Sequence, residues 1–592
     1  MILIKSCFRL LSTIASLPLM LLFSGSGFAQ ASNTADIILH HGVVEVVDND
    51  FSVEESVAIR GNKIIFVGRN AEVMKLSGAT TRIIDLKGAT VFPGINDTHL
   101  HALPTGEAMQ GLLLRDMSLQ QIRAALAAAV KTSPPGKLIR GIGWEERNLG
   151  RMPTKKDLDD LSPNNPVMFT EMSHHEVLLN TAALELVGLD KNSKDENGVK
   201  FLRMEGSREL SGVVVEGYTL INSKMPQPTL EERKSAIKAA ISLINSQGVT
   251  SYTEPGLTPD EFKAYQALQR NGELNARATI HLWGGNSLEE ADNMLATLPP
   301  DLSPKGDGTT EGLLTLRGIK FLLDGVPPAK TAATLDDYAC CKGVKGTLTF
   351  DGATEDAKAA EIKRAIIGLD KQGYQIAFHA TGDRSARIAI DAIISAAQEN
   401  STEHAGPILN PLRHYMIHAD RVSDEDIVKM GKWQIGLSTN PIISFYAAPT
   451  VRKIWGDYYG AKHMAIKSFI NSGTWVTLGT DSPVVPTDWK TGLQFAVTRV
   501  AIDGQPNGPE YATSIDQALA AHTRVAAYQD RQEDTKGTVE VGKVADLAVF
   551  DQDFRTVPSG GISKVKSLLT IVDGRIVYDA SEVAANKISS LE

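Results

Sequence analysis

The sequence predicts an α/β fold: a (β/α)8 TIM-like barrel with a small β-sandwich domain formed from both chain ends. The chain has 592 residues, of which 42% are apolar and 22% are charged, values typical of a globular protein with more than one structural unit. Strand-like and helix-like runs alternate through its middle, as in a parallel sheet with crossover helices. Both ends show only short strands separated by turn residues.

Residues 1–31 predict a secretory signal peptide. Lys5 and Arg9 precede an apolar stretch, which small residues follow up to Ala31. A retained membrane anchor is the alternative, because the apolar run approaches the length that spans a bilayer. Breaks at Ser and Pro and the cleavage-like ending favour the signal, so we expect a periplasmic or secreted protein without stable membrane insertion.

Residues 32–92 and 536–592 predict the two parts of the β-sandwich. In the first part, β-rich runs flank a turn at Gly61-Asn62-Lys63, and in the second they flank Val572-Asp573-Gly574. The two parts lie at opposite ends of the chain and share the same pattern of short β-rich runs separated by turns. We therefore expect them to form a single sheet domain that ties the ends together.

Residues 93–535 predict the barrel, and residues 103–240 within them predict an insertion near its mouth. The insertion is far longer than a crossover needs. Eight β-rich runs are the candidate strands, the number that closes such a barrel: 91–99, 249–255, 276–283, 314–323, 373–380, 414–419, 433–439 and 474–481.

The charge and the cysteine content limit the kinds of partner and metal site that the chain can have. The net charge of −10 comes without a long basic run, so a nucleic-acid partner is disfavoured and a small-molecule substrate is expected. The sequence leaves a homo-oligomer open. Of the three cysteines, Cys7 falls in the signal. The adjacent Cys340 and Cys341 can close only a local ring, and two neighbouring thiols do not complete a tetrahedral metal shell.

His99 and His101 are the sharpest local feature of the sequence. They close the first candidate strand two residues apart, so both imidazoles point to the same face and can meet one ion. Taken alone, the triplet also suits exposed or core histidines.

Three further strands end in ligand-type residues, namely His379, His418 and Asp481. Barrel enzymes gather their functional residues at these C-terminal strand ends, and imidazole and carboxylate suit a divalent ion such as Zn²⁺. Half-exposed polar residues are the alternative. We expect that alternative for the other histidines considered: His40, His41, His404, His463 and His522.

Lys320 lies inside a strand flanked by Ile319 and Phe321, and a buried ammonium is costly unless it is paired or neutralised. A lysine whose pKa falls in such a place can react with carbon dioxide to give an anionic carbamate. Alternatively, its stem packs while its head reaches water at the barrel mouth. The residues alone leave both interpretations open.

Short motifs follow one another along nearly all of the mature chain. In order they include AIRGNKIIFVG, FPGINDTHLH, RGIGWEER, SHHEVLLNTAAL, GVTSYTEPG, GIKFLLDG, FHATGDR, RHYMIHAD, LGTDSPV and GKVADLAVFD. Together they resemble the amidohydrolase superfamily, and within it the YtcJ-like branch, also called amidohydrolase family 3, which includes N-substituted formamide deformylase. Any one motif would be weak evidence, but their order makes the resemblance specific.

The resemblance implies two adjoining metal positions. Lys320, as a carboxylated lysine, would be shared between them. The first would be completed by His99, His101 and Asp481, and the second by His379 and His418.

The resemblance also implies the chemistry. A metal-activated hydroxide would attack a carbonyl, and Asp481 would take its proton and return it to the leaving nitrogen. His175 matches a histidine that the branch keeps shortly before an asparagine, here Asn180, and would contact the substrate or the oxyanion. His175 could equally be a structural hydrogen-bonding residue.

One departure concerns the substrate. After Asp324 and Gly325 many relatives continue with Ser-Leu-Gly, whereas this chain has Val326-Pro327-Pro328. That loop faces the substrate in a barrel, so the departure affects the substrate class more than metal binding.

The expected activity is that of an exported amidohydrolase. It would hydrolyse a non-peptide carbon–nitrogen bond in an amide, formamide or cyclic amide, using one or two divalent ions per chain, zinc by preference. Two alternatives stay open. A lactonase or esterase would use the same metal site, and a catalytically silent binding protein would show eroded ligand positions.

Overall fold

The structure is a computed structural model that describes residues 34–172, 176–195, 199–400 and 410–589. The predicted signal peptide at 1–31, His175 and His404 lie outside these ranges. Within the described ranges, no helix is both long and apolar enough to cross a membrane.

Eight parallel strands stand side by side in chain order and form the barrel. Backbone hydrogen bonds from Thr98 N to Leu478 O (3.3 Å) and from Asp481 N to His99 O (2.6 Å) join the last strand to the first. The predicted fold class is thereby confirmed. The strands are β1 (Ile95–Asp97), β2 (Val249–Leu257), β3 (Arg277–Trp283), β4 (Leu314–Leu322), β5 (Gln375–Ala380), β6 (Tyr415–His418), β7 (Gly436–Thr439) and β8 (Val476–Leu478), with Thr309–Glu311 antiparallel to β4.

The first candidate strand, 91–99, was predicted wrongly as one element. Thr90–Pro93 pairs with Leu547–Phe550 in a separate sheet, and only Ile95–Asp97 pairs with β2. The chain passes between the two sheets at Gly94, where a Cβ would lie 2.0 Å from the Thr250 hydroxyl oxygen. Glycine therefore permits the crossing that divides the run.

Helices pack around the strands and share one large apolar core with them. Several begin at a Ser or Thr whose side chain accepts a hydrogen bond from the first turn, including Thr229, Thr258 and Ser423. The barrel helices are Ala102–Gln110, Leu230–Asn245, Pro259–Arg270, Leu288–Ala296, Glu355–Lys371, Asp383–Asn400, Asp424–Lys432, Pro441–Ala461, Ile466–Ser472, Trp489–Thr498, Ile515–Ala521 and Arg524–Gln529.

Strands from both ends of the chain make two sheets that face each other. Buried residues of the two sheets, among them Leu39, Val57, Val91 and Leu547, form one apolar cluster. The first sheet has the order Lys63–Gly68, Ser56–Arg60, Ile37–His40, Arg82–Asp85, and the second Arg575–Asp579, Ser567–Val572, Leu547–Phe550, Thr90–Pro93, Val43–Glu45, Val53–Glu54. Short helices at Asn70–Val73, Met74–Leu76 and Ser559–Lys564, and the helix Ala580–Ser589, complete these ends.

The segment between β1 and β2 carries a sheet of its own. Its strands are, in order, Lys200–Arg203, Leu210–Val215, Glu176–Leu179, Val167–Glu171, Ile139–Trp144 and Leu112–Leu113, with helices Leu119–Thr132, Glu146–Leu149, Lys156–Asp159, Thr181–Leu186 and Tyr218–Lys224. The helices at its two ends, Ala102–Gln110 and Leu230–Asn245, pack on each other within the barrel core. A Cβ on Gly106 would lie 1.8 Å from Ala236 O.

The loop after β4 reaches across to the helix Pro441–Ala461. Cys340 and Cys341 form a disulfide within this loop, the local ring that adjacent cysteines allow. Tyr338 packs with Val451 and Trp455 of the helix. The loop thereby closes one side of the barrel mouth.

Candidate metal centre

All six predicted ligands line one cavity at the C-terminal ends of the strands. Parallel strands in a barrel bring these ends together even though the residues lie far apart in sequence. His99 and His101 follow β1, Lys320 lies in β4, His379 and His418 lie near the ends of β5 and β6, and Asp481 follows β8.

Asp481 joins the two histidines that follow β1. Its Oδ1 lies 3.1 Å from His99 Nε2 and 3.2 Å from His101 Nε2. Ligand atoms of His99, His418 and Asp481 all lie within 4.8 Å of one another. A single ion placed among them could therefore contact imidazole nitrogens and a carboxylate oxygen together.

His379 continues the cluster on its other side. Its ring centroid lies 4.5 Å from that of His418, and the His418 ring lies 5.0 Å from that of His99. His379 Nε2 lies 3.0 Å from Gly325 O, and a carbonyl can only accept. Nε2 therefore donates there, which leaves Nδ1 free to bind an ion.

Burial lowers the pKa values of three histidines in this cluster. It lowers the pKa of His379 to about 3, with a further contribution from the charge of Lys320. Burial and Lys320 also hold the pKa of His99 well below its usual range, and burial and His379 do the same for His418. The imidazoles are thus neutral at neutral pH, the form that binds metal.

Lys320 is only 4% exposed, so its head does not reach bulk water. Burial lowers its pKa to about 7, while Asp481 opposes that shift. A large fraction of the amine is therefore neutral near pH 7, the form that can react with carbon dioxide.

Two of the predicted ligands adopt a backbone conformation that L-residues seldom take. His418 has φ 71° and Asp481 has φ 63°, and Ala419 beside them has φ 54°. Such residues cost about 1–3 kcal/mol each and cluster at functional sites.

Two buried aspartates that the sequence did not single out brace the ligands. Asp97 accepts hydrogen bonds from Thr480 Oγ1 (2.6 Å), Thr480 N (2.9 Å) and His99 N (3.3 Å), so it links the segments carrying His99 and Asp481. Burial raises its pKa to about 7. Asp97 could have been singled out from the sequence, because it lies two residues before His99 in the motif FPGINDTHLH.

Asp324 plays the corresponding part between β4 and β5. It accepts from Thr381 N (3.0 Å), Gly382 N (2.8 Å), Ala333 N (2.8 Å) and Ser385 Oγ (2.7 Å). Burial raises its pKa to about 6. These bonds fix the loop that follows Lys320 against the end of the strand that carries His379.

The residues present fit a divalent metal ion. His99 Nδ1 and Nε2 are buried without a hydrogen-bond partner, and an ion would supply one. Imidazole nitrogens and a carboxylate are donors that suit a divalent cation.

The cavity has a volume of about 370 Å³. Apart from the ligands its walls are mainly apolar and include Val326, Pro327 and Pro328 of the loop after β4. Further wall residues are Pro255, Trp283, Leu322, Ile443, Ala447, Val451 and Val484.

Two histidines expected to be half-exposed are buried. His522 is 1% exposed, with its ring centroid 5.1 Å from that of Trp489. His463 is fully buried and lines the cavity together with Asp420. His463 comes from a loop beyond a helix, so the strand-end rule that selected the predicted ligands did not apply to it.

The chain matches the amidohydrolase family over residues 82–578. Three relatives are similar over nearly their whole length. Protein LONG AFTER FAR-RED 3 of Arabidopsis thaliana is 25% identical, over 93% of this chain and 92% of that protein. N-substituted formamide deformylase of Arthrobacter pascens is 24% identical, over 92% and 98%. YtcJ of Bacillus subtilis is 25% identical, over 92% and 99%.

Two solved structures share the fold. One, an uncharacterized metal-dependent hydrolase from Pyrococcus horikoshii, has a TM-score of 0.71 and 22% identity and covers 88% of this chain and 99% of its own. The other, an uncharacterized metal-dependent hydrolase from Pyrococcus furiosus, has a TM-score of 0.69 and 25% identity and covers 87% and 99%. The resemblance that the motifs predicted is confirmed.

Proposed function

The chain belongs to the amidohydrolase family, and from that premise we propose that it is an exported metal-dependent enzyme. It hydrolyses a non-peptide carbon–nitrogen bond in an amide, formamide or cyclic amide. The observation that carries the proposal is the meeting of six donor residues at one end of a single cavity. The named activity of one relative, N-substituted formamide deformylase, supports the choice of bond.

Zinc, at one or two ions per chain, is the cation that this donor set suits best. His99, His101 and Asp481 would hold one ion, His379 and His418 a second, and a carboxylated Lys320 would contact both. When bound, such an ion lowers the pKa of water and polarises a carbonyl oxygen. Export rests on the signal-like residues 1–31.

Asp481 is the proposed proton carrier. Its Oδ1 faces His99 and His101, and its side chain is 8% exposed at the cavity. There it can take a proton from the attacking water and deliver it to the leaving nitrogen. Apolar walls around it exclude bulk water and hold the body of the substrate.

Lys320 is the residue whose chemistry the proposal needs most. Its neutral amine would bond to the carbon of carbon dioxide and release one proton to solvent, which gives an anionic carbamate. The carbamate would attract the metal ions, whereas the protonated lysine would repel them. His175, which lies outside the described residues, is proposed to contact the substrate or the oxyanion.

The experiment compares amide and ester pairs with the same acyl group on the zinc-loaded protein. We expect zinc by elemental analysis, turnover of amides, and loss of both metal and turnover in His99→Ala/His101→Ala. The matched control is His40→Ala/His41→Ala, because those side chains and Asp85 form a surface group that could also hold an ion.

Two results would contradict the proposal. The first is that metal-free protein still hydrolyses amides and that activity survives the His99→Ala/His101→Ala change, which would exclude the mechanism. Turnover of esters without turnover of the matched amides would identify a lactonase or esterase with the same site.

A further inference from the structure

The cavity carries a second polar group of residues, Asp420 and His463, in addition to the predicted metal ligands. The side chains of Asp420 and His463 are 5% and 1% exposed, and Asp420 Oδ2 lies 3.5 Å from His463 Nε2. Neither residue belongs to the predicted ligand set. Two polar side chains in a wall that is otherwise apolar are typical of a specificity contact.

The pair is fixed in place from behind. Ser444 Oγ lies 2.9 Å from His463 Nδ1. With the serine donating, the imidazole carries its proton on Nε2, toward Asp420. Met464 N donates to Asp420 O (3.3 Å) and Arg421 N to Thr381 O (3.0 Å), so both neighbouring backbones are held.

A buried arginine secures the segment that bears His463. The Arg499 guanidinium donates to four backbone carbonyls, those of Ala461 (3.1 Å), His463 (2.8 Å), Met464 (3.0 Å) and Asn507 (2.8 Å). The position of His463 is thus set before any ligand arrives, which is what a recognition site requires.

One oxygen of the Asp420 carboxylate lacks a partner. Oδ1 is buried and accepts no hydrogen bond, while Oδ2 lies 3.5 Å from His463 Nε2. In the described part of the chain no lysine or arginine forms an ion pair with this carboxylate, and the adjacent Arg421 bonds to Asp383 (2.9 Å) and stacks 3.7 Å from the Tyr459 ring. A buried carboxylate oxygen without a donor or a cation is costly, so a ligand that supplies both would be favoured.

The cavity wall around Asp420 and His463 indicates the chemical character of the rest of such a ligand. Ile443, Ala447 and Val451 follow one another at intervals of four residues along the helix Pro441–Ala461, so they share one face, and all three line the cavity. Trp283 adds an aromatic surface. The three aliphatic side chains accept a hydrocarbon body and offer it no hydrogen bond.

We propose that Asp420, oriented by His463, binds an ammonium group of the substrate. The substrate is then an amide whose apolar body carries a basic nitrogen at a distance from the bond that is cleaved. This assignment rests on the proposed function, because it places the scissile bond at the metal ligands.

The test uses two series of N-formyl alkylamines that differ only at the far end. One series ends in an ammonium and the other in a methyl group, with spacers of two to six methylene groups. Turnover is measured on the zinc-loaded full chain, and equilibrium binding is measured by calorimetry on the zinc-free full chain. The second readout does not depend on hydrolysis.

We expect at least one spacer length at which the ammonium compound binds at least about tenfold more tightly than its methyl counterpart, the range of a hydrogen bond to a charged group. Asp420→Asn should abolish that preference, with the loss appearing in the KM of the ammonium compound. His463→Gln should reduce it, and Asp457→Asn, an exposed residue beyond the kink at Gly456, should not affect it.

Equal affinity for both ends at every spacer length in the wild-type protein overturns the inference, and so does a preference that survives Asp420→Asn. If Asp420→Asn does not fold, the wild-type preference and its loss in His463→Gln decide the matter. An intact ammonium preference in a protein that hydrolyses no amide would overturn the proposed function alone.

Discussion

Two sets of buried groups in the barrel, one around Asp530 and one around the predicted metal ligands His99 and Lys320, differ in how far the protein itself satisfies them. Toward the N-terminal ends of the strands, Asp530 accepts from Asn96 Nδ2 (2.8 Å), Lys536 Nζ (2.9 Å) and Thr253 Oγ1 (3.1 Å). We call Asp530 with these three partners the lower network. At the mouth, the ring nitrogens of His99 are buried without hydrogen-bond partners, and Lys320 is buried where its charge is unfavourable.

This difference indicates that the lower network contributes to stability, whereas the residues at the mouth contribute to function. Satisfied buried groups rigidify a fold, whereas buried groups left without partners cost free energy and persist where a ligand completes them. We therefore expect changes at the mouth to remove activity and metal, and changes in the lower network to remove stability.

Asp481→Asn should give the largest effect. Asparagine keeps the shape and tolerates the left-handed backbone at this position, but it cannot carry the proton, so kcat should fall by about 10²–10⁴-fold. In zinc-free protein, thermal unfolding should occur at or above the wild-type temperature, because a buried carboxylate is removed. A variant that keeps wild-type kcat would show that another group moves the proton.

Removal of the metal should have the second-largest effect. Zinc-free protein should be inactive and less stable, by about 4 kcal/mol relative to protein in zinc at a thousand times its dissociation constant. Denaturant unfolding with and without zinc measures this difference. His99→Ala/His101→Ala should unfold at the same point in both conditions, and stabilisation of that variant by zinc would place the ion elsewhere.

Asp530→Ala should show the opposite pattern at the other end. It leaves the Lys536 ammonium, 5% exposed, buried without its partner, which costs about 3–5 kcal/mol. The kcat of the folded fraction should not change. Asp307→Ala is the control, because it breaks a pair with Arg531 in which the aspartate is 86% exposed and should cost less than about 1 kcal/mol.

The smallest expected effect concerns pH and Lys320. Burial lowers its pKa to about 7, and only the neutral amine reacts with carbon dioxide. The neutral fraction therefore rises from about one tenth at pH 6 to about nine tenths at pH 8. Bicarbonate-dependent zinc uptake should rise in the same direction, and Lys320→Met should show no such rise.

The strand-end residues could be predicted because the geometry of a parallel barrel is general. Any apolar run that closes the barrel delivers its last residue to the mouth, so His379 and His418 could be placed from their runs alone. The division of 91–99 into two strands needed the close approach of Gly94 to Thr250, a contact that periodicity does not encode.

His463 could not be predicted in the same way. Asp420, two residues beyond β6, lay within reach of the strand-end rule and was not selected, whereas His463 follows a long helix whose position is set by packing and by the carbonyl contacts of Arg499. No local sequence pattern marks His463. The pattern could identify residues that a strand positions, but not residues that tertiary contacts position.

Anomalous diffraction at the zinc edge from crystals of the zinc-loaded protein tests the central claim most directly. We predict one or two ions among His99, His101, Lys320, His379, His418 and Asp481, at about 2.0–2.2 Å from nitrogen and oxygen ligands. Zinc found only at His40, His41 and Asp85, with none in the cavity, would contradict the account.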